Sequence, residues 1–191
     1  MDSFEGHFLI AMPNMGDVRF EKAVVFVCSH SDDGAMGLVV NRTLEKPSTA
    51  EFLVQLGIVA DGERGLLPDD VSAPALCMGG PVEPGRGFVL HSADFTSDTT
   101  ISITDEISLT ATLEILRAIS KGRGPSRRMI ALGYAGWAAG QLEEEIVSNG
   151  WLTSRADSEL VFDQVHETKY ERALLRMGVN PSLLSADAGH A

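Results

Sequence analysis

The sequence predicts an α+β fold: one domain over residues 1–191, with a mixed, mostly antiparallel sheet flanked by peripheral helices. Three observations lead there. Eight short runs rich in Val, Ile and Phe are bounded by Gly, Pro, Asp or Ser clusters, the pattern of strands. Four segments of helical periodicity interrupt them in the order strands, helix, strands, helix, strand, helix, strand, helix, which is neither strict alternation nor an all-β arrangement. A chain of 191 residues with 44% hydrophobic and 22% charged content is also long enough for a sizeable core, hiding roughly 70% of the surface its unfolded form exposes.

The strand runs are "HFLIA", "KAVVFVCSH", "AMGLVVN", "ALCMGG", "GFVLH", "TISIT", "RMIALGYA" and "ELVF". Between the second and third, Asp33-Gly34 supplies the backbone freedom of a tight turn, so Ala23–Cys28 and Met36–Val40 are expected to pair antiparallel. "STAEFLVQLGI" starts a helix with Ser48 and Glu51 at capping-box spacing and stops at Gly57. "SLTATLEILRAISKG" puts Leu109, Leu113 and Leu116 on one helical face. A third helix is expected from Trp137 or Ala138 to "SNG", and a fourth, "HETKYERALLRMG", aligns Tyr170, Leu174 and Met177 before Gly178. "PDDVSAP" reads as a surface loop, the core as about 7–179, and the small polar tail over 182–191 as frayed.

A net charge of -12 and a pI near 4.7 repel polyanions, so direct nucleic-acid binding is not expected. The basic run Lys121, Arg123, Arg127 and Arg128 reads as a solvated loop. No apolar stretch approaches the ~20 residues of a membrane span, and the N-terminus lacks a basic n-region and a long apolar run. The expected compartment is therefore the cytoplasm, with Cys28 and Cys77 as free, buried thiols.

Phosphate-loop, nucleophile-elbow, zincin and C-x-x-C motifs are absent from the sequence, and neither cofactor nor metal is expected. His30, His91 and His7 lie at strand ends but read as hydrogen-bonded structural histidines, and Asp32-Asp33 as turn residues. Glu143, Glu144 and Glu145 suit the first turn of a helix. "GGPV" reads as a tight turn, with an anion-binding nest as its alternative. In "GYAGWAAGQLEEEI", Gly133 is expected to end a strand, Gly136 and Gly140 to let a helix approach the sheet closely, and Trp137 to fill the adjoining space.

The ordered set "HFLIAMP", "CSHSDDGAMGLVVNR", "MGGPV", "FVLH", "LGYAGWAAGQLEEEI", "NGWL" and "ELVFD" resembles the AlgH/YqgE family of bacterial proteins from about His7 to Val179. The resemblance implies one α+β domain with a bifurcated, partly barrel-like sheet. It also carries a label of transcriptional regulator without a catalytic motif. Tyr170 stands where relatives often show Trp. No segment reads as a basic recognition helix, so an effect on transcription would be indirect.

Two functions from different classes follow. The first is a non-catalytic regulatory protein acting through a protein partner. The second is a small-molecule or anion site, with catalysis as its extension, between the "GGPV" turn and "GYAGWAAGQLEEEI", with Asn41, Gly79, Gly80, His91, Gln141 and Glu145 as its convergent polar groups.

Overall fold

In the computed structural model, which describes residues 3–184, one sheet organises the whole chain. Its strands are β1 (His7–Ala11), β2 (Val24–Ser31), β3 (Gly34–Val39), β4 (Cys77–Met78), β5 (Val82–Ser92), β6 (Ile101–Ser102), β7 (Ile107–Thr110), β8 (Arg128–Ala138) and β9 (Trp151–Arg155). They lie in the order β6-β7-β5-β8-β3-β2-β1-β9, with β4 added beside β8. All pairings are antiparallel except β4 with β8.

The sheet forks along β8. Its first half pairs with β5, Phe88 opposite Ala131, and with β4 on the other side, whereas its second half pairs with β3, Gly37 opposite Ala135. Gly133 sits at the fork with φ +73°. A methyl group at Gly133 would lie 2.4 Å from the Gly80 carbonyl oxygen, and one at Gly80 would lie 2.1 Å from the Tyr134 carbonyl carbon. Glycine is required on both sides because two backbones mesh there without room for a Cβ.

Each arm of the fork is buried on both faces, which is why its strands read as continuous apolar runs rather than clean alternations. Phe8, Ile10, Val24, Phe26 and Leu38 from one arm meet Phe88, Leu90, Ile107 and Met129 from the other in a central core. That core is closed by α5 (Ser158–Phe162) and α6 (Lys169–Arg176), through Leu160, Val161 and Leu174. On the outside of the first arm, Leu142 of α4 (Gln141–Val147) packs with Leu9, Val25, Val27 and Val39 and with Trp137 of β8 and Trp151 of β9. On the outside of the second, α1 (Thr49–Gln55), α2 (Asp69–Ser72) and α3 (Leu113–Ser120) cover Val89, Ile130 and Leu132 with Phe52, Leu53, Val71 and Ile115. The result is a single α+β domain whose forked, curled sheet carries peripheral helices, the architecture expected from the sequence.

Local signals hold where they are strongest. Ser48 Oγ accepts from the Glu51 N–H and Glu51 Oε2 accepts from the Ser48 N–H, completing the capping box of α1, and Gly57 follows with φ +69°. Elsewhere the structure differs. Ser31 pairs with Gly34, so the β2–β3 turn is Asp32-Asp33 and Gly34 already belongs to β3. Ser108-Leu109 lies in β7, because Ile107–Thr110 finds an edge to pair with on β5, and α3 starts only at Leu113. "ELVF" is α5 instead of a strand, opened by Asp157, whose side chain accepts from the Leu160 N–H. β8 continues through Trp137 to Ala138, since β3 offers a ladder that far, and α4 begins at Gln141. Gly140 is its N-cap at φ +76°, and a methyl group there would meet nothing within 4 Å, so its role is backbone conformation and not close approach. "PDDVSAP" contains the short helix α2, and β9 is a strand that local patterning does not announce. Pro181–Leu183 form a 3-10 turn, and 185–191 of the expected tail lie outside the described residues.

Candidate functional site

Of the six residues expected to converge, Gln141 and Glu145 lie together. Both indoles, Trp137 and Trp151, donate their Nε1–H to Glu145 Oε2 at 2.8 Å, and Gln141 Nε2 donates to Oε1 at 2.9 Å. Gln141 Oε1 in turn accepts from the Ala138 N–H at 3.0 Å. Phe20 stacks on Trp137 and meets Trp151 edge-on, with ring centroids 6.4 and 5.6 Å apart. The acidic end of the stretch is thus a clamp for two buried indoles, each of which needs an acceptor for its single donor.

Beside this clamp runs a cleft of about 490 Å³ lined by Pro81, Val82, Gly136, Trp137, Gln141 and Glu145 among others. The "GGPV" turn and the "GYAGW" segment do face one space. Gly79 and Gly80 themselves stay within the sheet: the Gly79 N–H donates to the Leu132 carbonyl and its carbonyl accepts from the Val39 N–H, while Gly80 packs on Tyr134. His91 is buried in the other arm of the fork, its Nδ1 2.8 Å from the Ser92 carbonyl and its Nε2 2.8 Å from Thr110 Oγ1. Burial holds its pKa below the usual histidine value. Asn41 bridges the Val24 N–H and the Lys22 carbonyl at 2.9 and 2.8 Å and faces a different cleft.

That other cleft has a volume of about 670 Å³ and lies between residues 11–22 and the start of α6. It shares the wall formed by Met15 and Asp17 with the first, so the two flank one loop. Under its floor is an arrangement that no motif announced. Lys169 is 0% exposed, and its Nζ lies 2.9 Å from the Val40 carbonyl, 3.2 Å from the Val161 carbonyl and 3.4 Å from His166 Nδ1. Two carbonyls accept from the ammonium and the imidazole edge lies beside it, with no carboxylate in the set. Burial lowers the Lys169 pKa to about 8, which leaves it charged at neutral pH, and burial followed by the Lys169 charge lowers that of His166.

The histidine thus sits directly against the Lys169 ammonium. His166 Nδ1 also lies 3.3 Å from the Val40 carbonyl, so it donates to that carbonyl in one tautomer and accepts from Lys169 in the other. Tyr170 Oη donates to the Ala11 carbonyl at 2.7 Å and fixes the adjoining wall. His166, Lys169 and Tyr170 were legible only as the i, i+3, i+4 spacing of "HETKY", a weak signal when the rest of that helix reads as core.

Elsewhere, chemistry-bearing residues are engaged structurally. His30 Nδ1 accepts from the Phe4 N–H at 3.1 Å and its Nε2 lies 2.8 Å from Glu143 Oε1, tying the N-terminal segment to α4. Burial raises the Cys77 thiol to about 11 and the Cys28 thiol further still. Arg127 donates to Ser158 Oγ and stacks over Phe162, and Arg128 bonds Asp70, which disperses the basic run. Among the described residues no group of three or more His, Cys, Asp or Glu side chains could hold a metal ion.

Comparison with known proteins places the chain in a family. The AlgH-like family model matches residues 8–182. A UPF0301 protein of Allorhizobium ampelinum is 53% identical over 187 residues, covering 98% of this chain and 92% of its own. Another from Rhodopseudomonas palustris is 54% identical over 191 residues, covering 100% and 88%. The solution structure of the AlgH protein from Pseudomonas aeruginosa superposes with a TM-score of 0.79 at 43% identity, over 99% of this chain and 96% of that one. A crystal structure from Corynebacterium diphtheriae shares the fold at a TM-score of 0.70 and 20% identity, over 96% and 90%. With the family model, the full-length relatives and the solved fold in agreement, the chain belongs to the AlgH-like family.

Proposed function

We propose that this chain is a non-catalytic, cytoplasmic regulatory protein that acts by binding another protein, and that any effect on transcription is indirect. The supporting observation is the pair of open clefts on either side of Met15 and Asp17, which together make one concave surface with apolar and acidic lining. Val18, on the rim, is 80% exposed. A mixed surface of this kind suits a protein segment better than a small substrate, which is usually enclosed far more completely. No helix among the described residues is long and apolar enough to cross a membrane.

The small-molecule alternative draws less support. Its two gathered side chains, Gln141 and Glu145, already serve the indoles and the Ala138 N–H, and Gly79 and His91 serve the sheet. The adaptor reading is tested by affinity capture at endogenous expression. One partner in stoichiometric yield is the expected outcome, and the absence of any stoichiometric partner under native conditions counts against it.

A further inference from the structure

The larger cleft combines an acidic rim with a polar floor. Its rim carries the carboxylates of Asp17, Glu21, Glu167 and Glu171 against the single ammonium of Lys22. Asp17 is occupied by Arg19, but Glu21, Glu167 and Glu171 have no ion-pair partner among the described residues. Exposed carboxylates alone are an ordinary solvated face. The floor is what makes them more.

His166 is only 7% exposed, lines the cleft, and has its Nδ1 edge turned to Val40 and Lys169. Its Nε2 edge opens to the cleft and has no partner among the described residues, and in the tautomer in which Nδ1 accepts from Lys169 it carries a hydrogen. Asn41 uses one of its two amide hydrogens on the Lys22 carbonyl, leaving the other for the same space. The floor thus offers the Asn41 amide and the His166 Nε2 edge and the rim offers negative charge, with Met15, Val18, Pro181 and Leu184 as apolar wall between them.

We propose that this cleft binds an extended, basic peptide segment of the partner, its main-chain carbonyls accepting from His166 Nε2 and Asn41 while its lysine or arginine side chains reach Glu21, Glu167 and Glu171. The proposal rests on the adaptor reading and deepens it by naming the chemistry of the partner. A phosphate-bearing ligand meets the wrong sign of charge at the rim. A polyamine satisfies the rim but presents nothing to the floor donors. A basic peptide satisfies both, and its aliphatic side-chain stems suit the wall.

The test uses the full chain, with an acetylated and amidated pentapeptide alternating alanine with arginine as the probe. Spermidine and the same peptide with glutamate for arginine serve as comparisons. Isothermal titration is expected to show the arginine peptide binding and weakening with added salt, the glutamate peptide silent, and spermidine weaker than the peptide. Glu167→Gln with Glu171→Gln, both exposed, is expected to lower peptide affinity roughly fivefold while leaving the melting temperature in place. Long-range nitrogen–proton spectra should show His166 protonated on Nε2, with that resonance moving on peptide addition. The proposal is overturned if the peptide does not bind, if the double variant binds it equally well, if spermidine binds as tightly, or if His166 carries its proton on Nδ1. A partner captured equally by wild type and double variant also overturns it while leaving the adaptor reading standing, whereas peptide binding without any captured partner counts against the adaptor reading alone.

Discussion

At the scale of single residues, the molecule turns on a few groups with no substitute. Glu145 accepts from two indoles and an amide at once, so Glu145→Leu strands two donors and should cost about 2–4 kcal/mol. Glu145→Gln keeps an acceptor and should cost less; equal denaturant midpoints for the two variants would contradict the clamp. The glycines divide in the same way. Gly80→Ala and Gly133→Ala force a methyl onto facing backbone and should abolish cooperative folding, whereas Gly140→Ala meets open space and carries only the left-handed backbone cost, about 1–2 kcal/mol. Thermal melts of the three variants check that ordering. The polar residues expected to converge were visible in the sequence as residue types, but their occupancy was not. Whether Gln141 and Glu145 bind a ligand or two indoles depends on Trp151, six positions past Glu145 and on a strand that local patterning did not register.

At the scale of elements, the sequence is legible where one segment decides its own conformation. The capping box of α1 is such a case, and Ser48→Ala should cost about 1 kcal/mol, measured by the shift of the unfolding midpoint. The stops at Gly57 and Gly178, both at positive φ, are equally local. Legibility fails where a neighbour decides. "SLT" continues a helical pattern but becomes β7 because β5 supplies an unpaired edge, and "GYAGWA" stays in β8 because β3 runs beside it. "ELVF" is apolar enough for a strand, yet Asp157 caps it as a helix and Leu160, Val161 and Phe162 fill the mouth of the central core. In each case tertiary pairing or burial overrides local propensity.

At the scale of the whole molecule, the buried ionisable groups set an alkaline signature. Lys169, lowered from 10.5 to about 8, is protonated in both folded and unfolded chains at neutral pH. As pH rises above 8 the folded state releases that proton first, so stability rises with a limiting slope of about 1.4 kcal/mol per pH unit. The thiols act oppositely: Cys28 and Cys77 are raised from 9.0, so above pH 9 the unfolded chain releases their protons first and stability falls. Stability should therefore rise from pH 8 to 9 and decline beyond, and Lys169→Met should remove the rise but keep the decline. Denaturant titrations across that range check both limbs. The surface charge of -12 makes a second whole-molecule prediction, that mobility-shift assays with duplex DNA show no complex at micromolar protein and physiological salt.

The central claim, that the paired clefts are where a partner docks, is tested most directly by a photo-cross-linking residue placed at Val18 and, separately, at Leu66. Both positions are 80% exposed, but Val18 lines one of the paired clefts and Leu66 lines neither. Docking at the clefts predicts one dominant cross-linked partner from position 18 in living cells and none from position 66. No product at 18, or the same products at both, would contradict it.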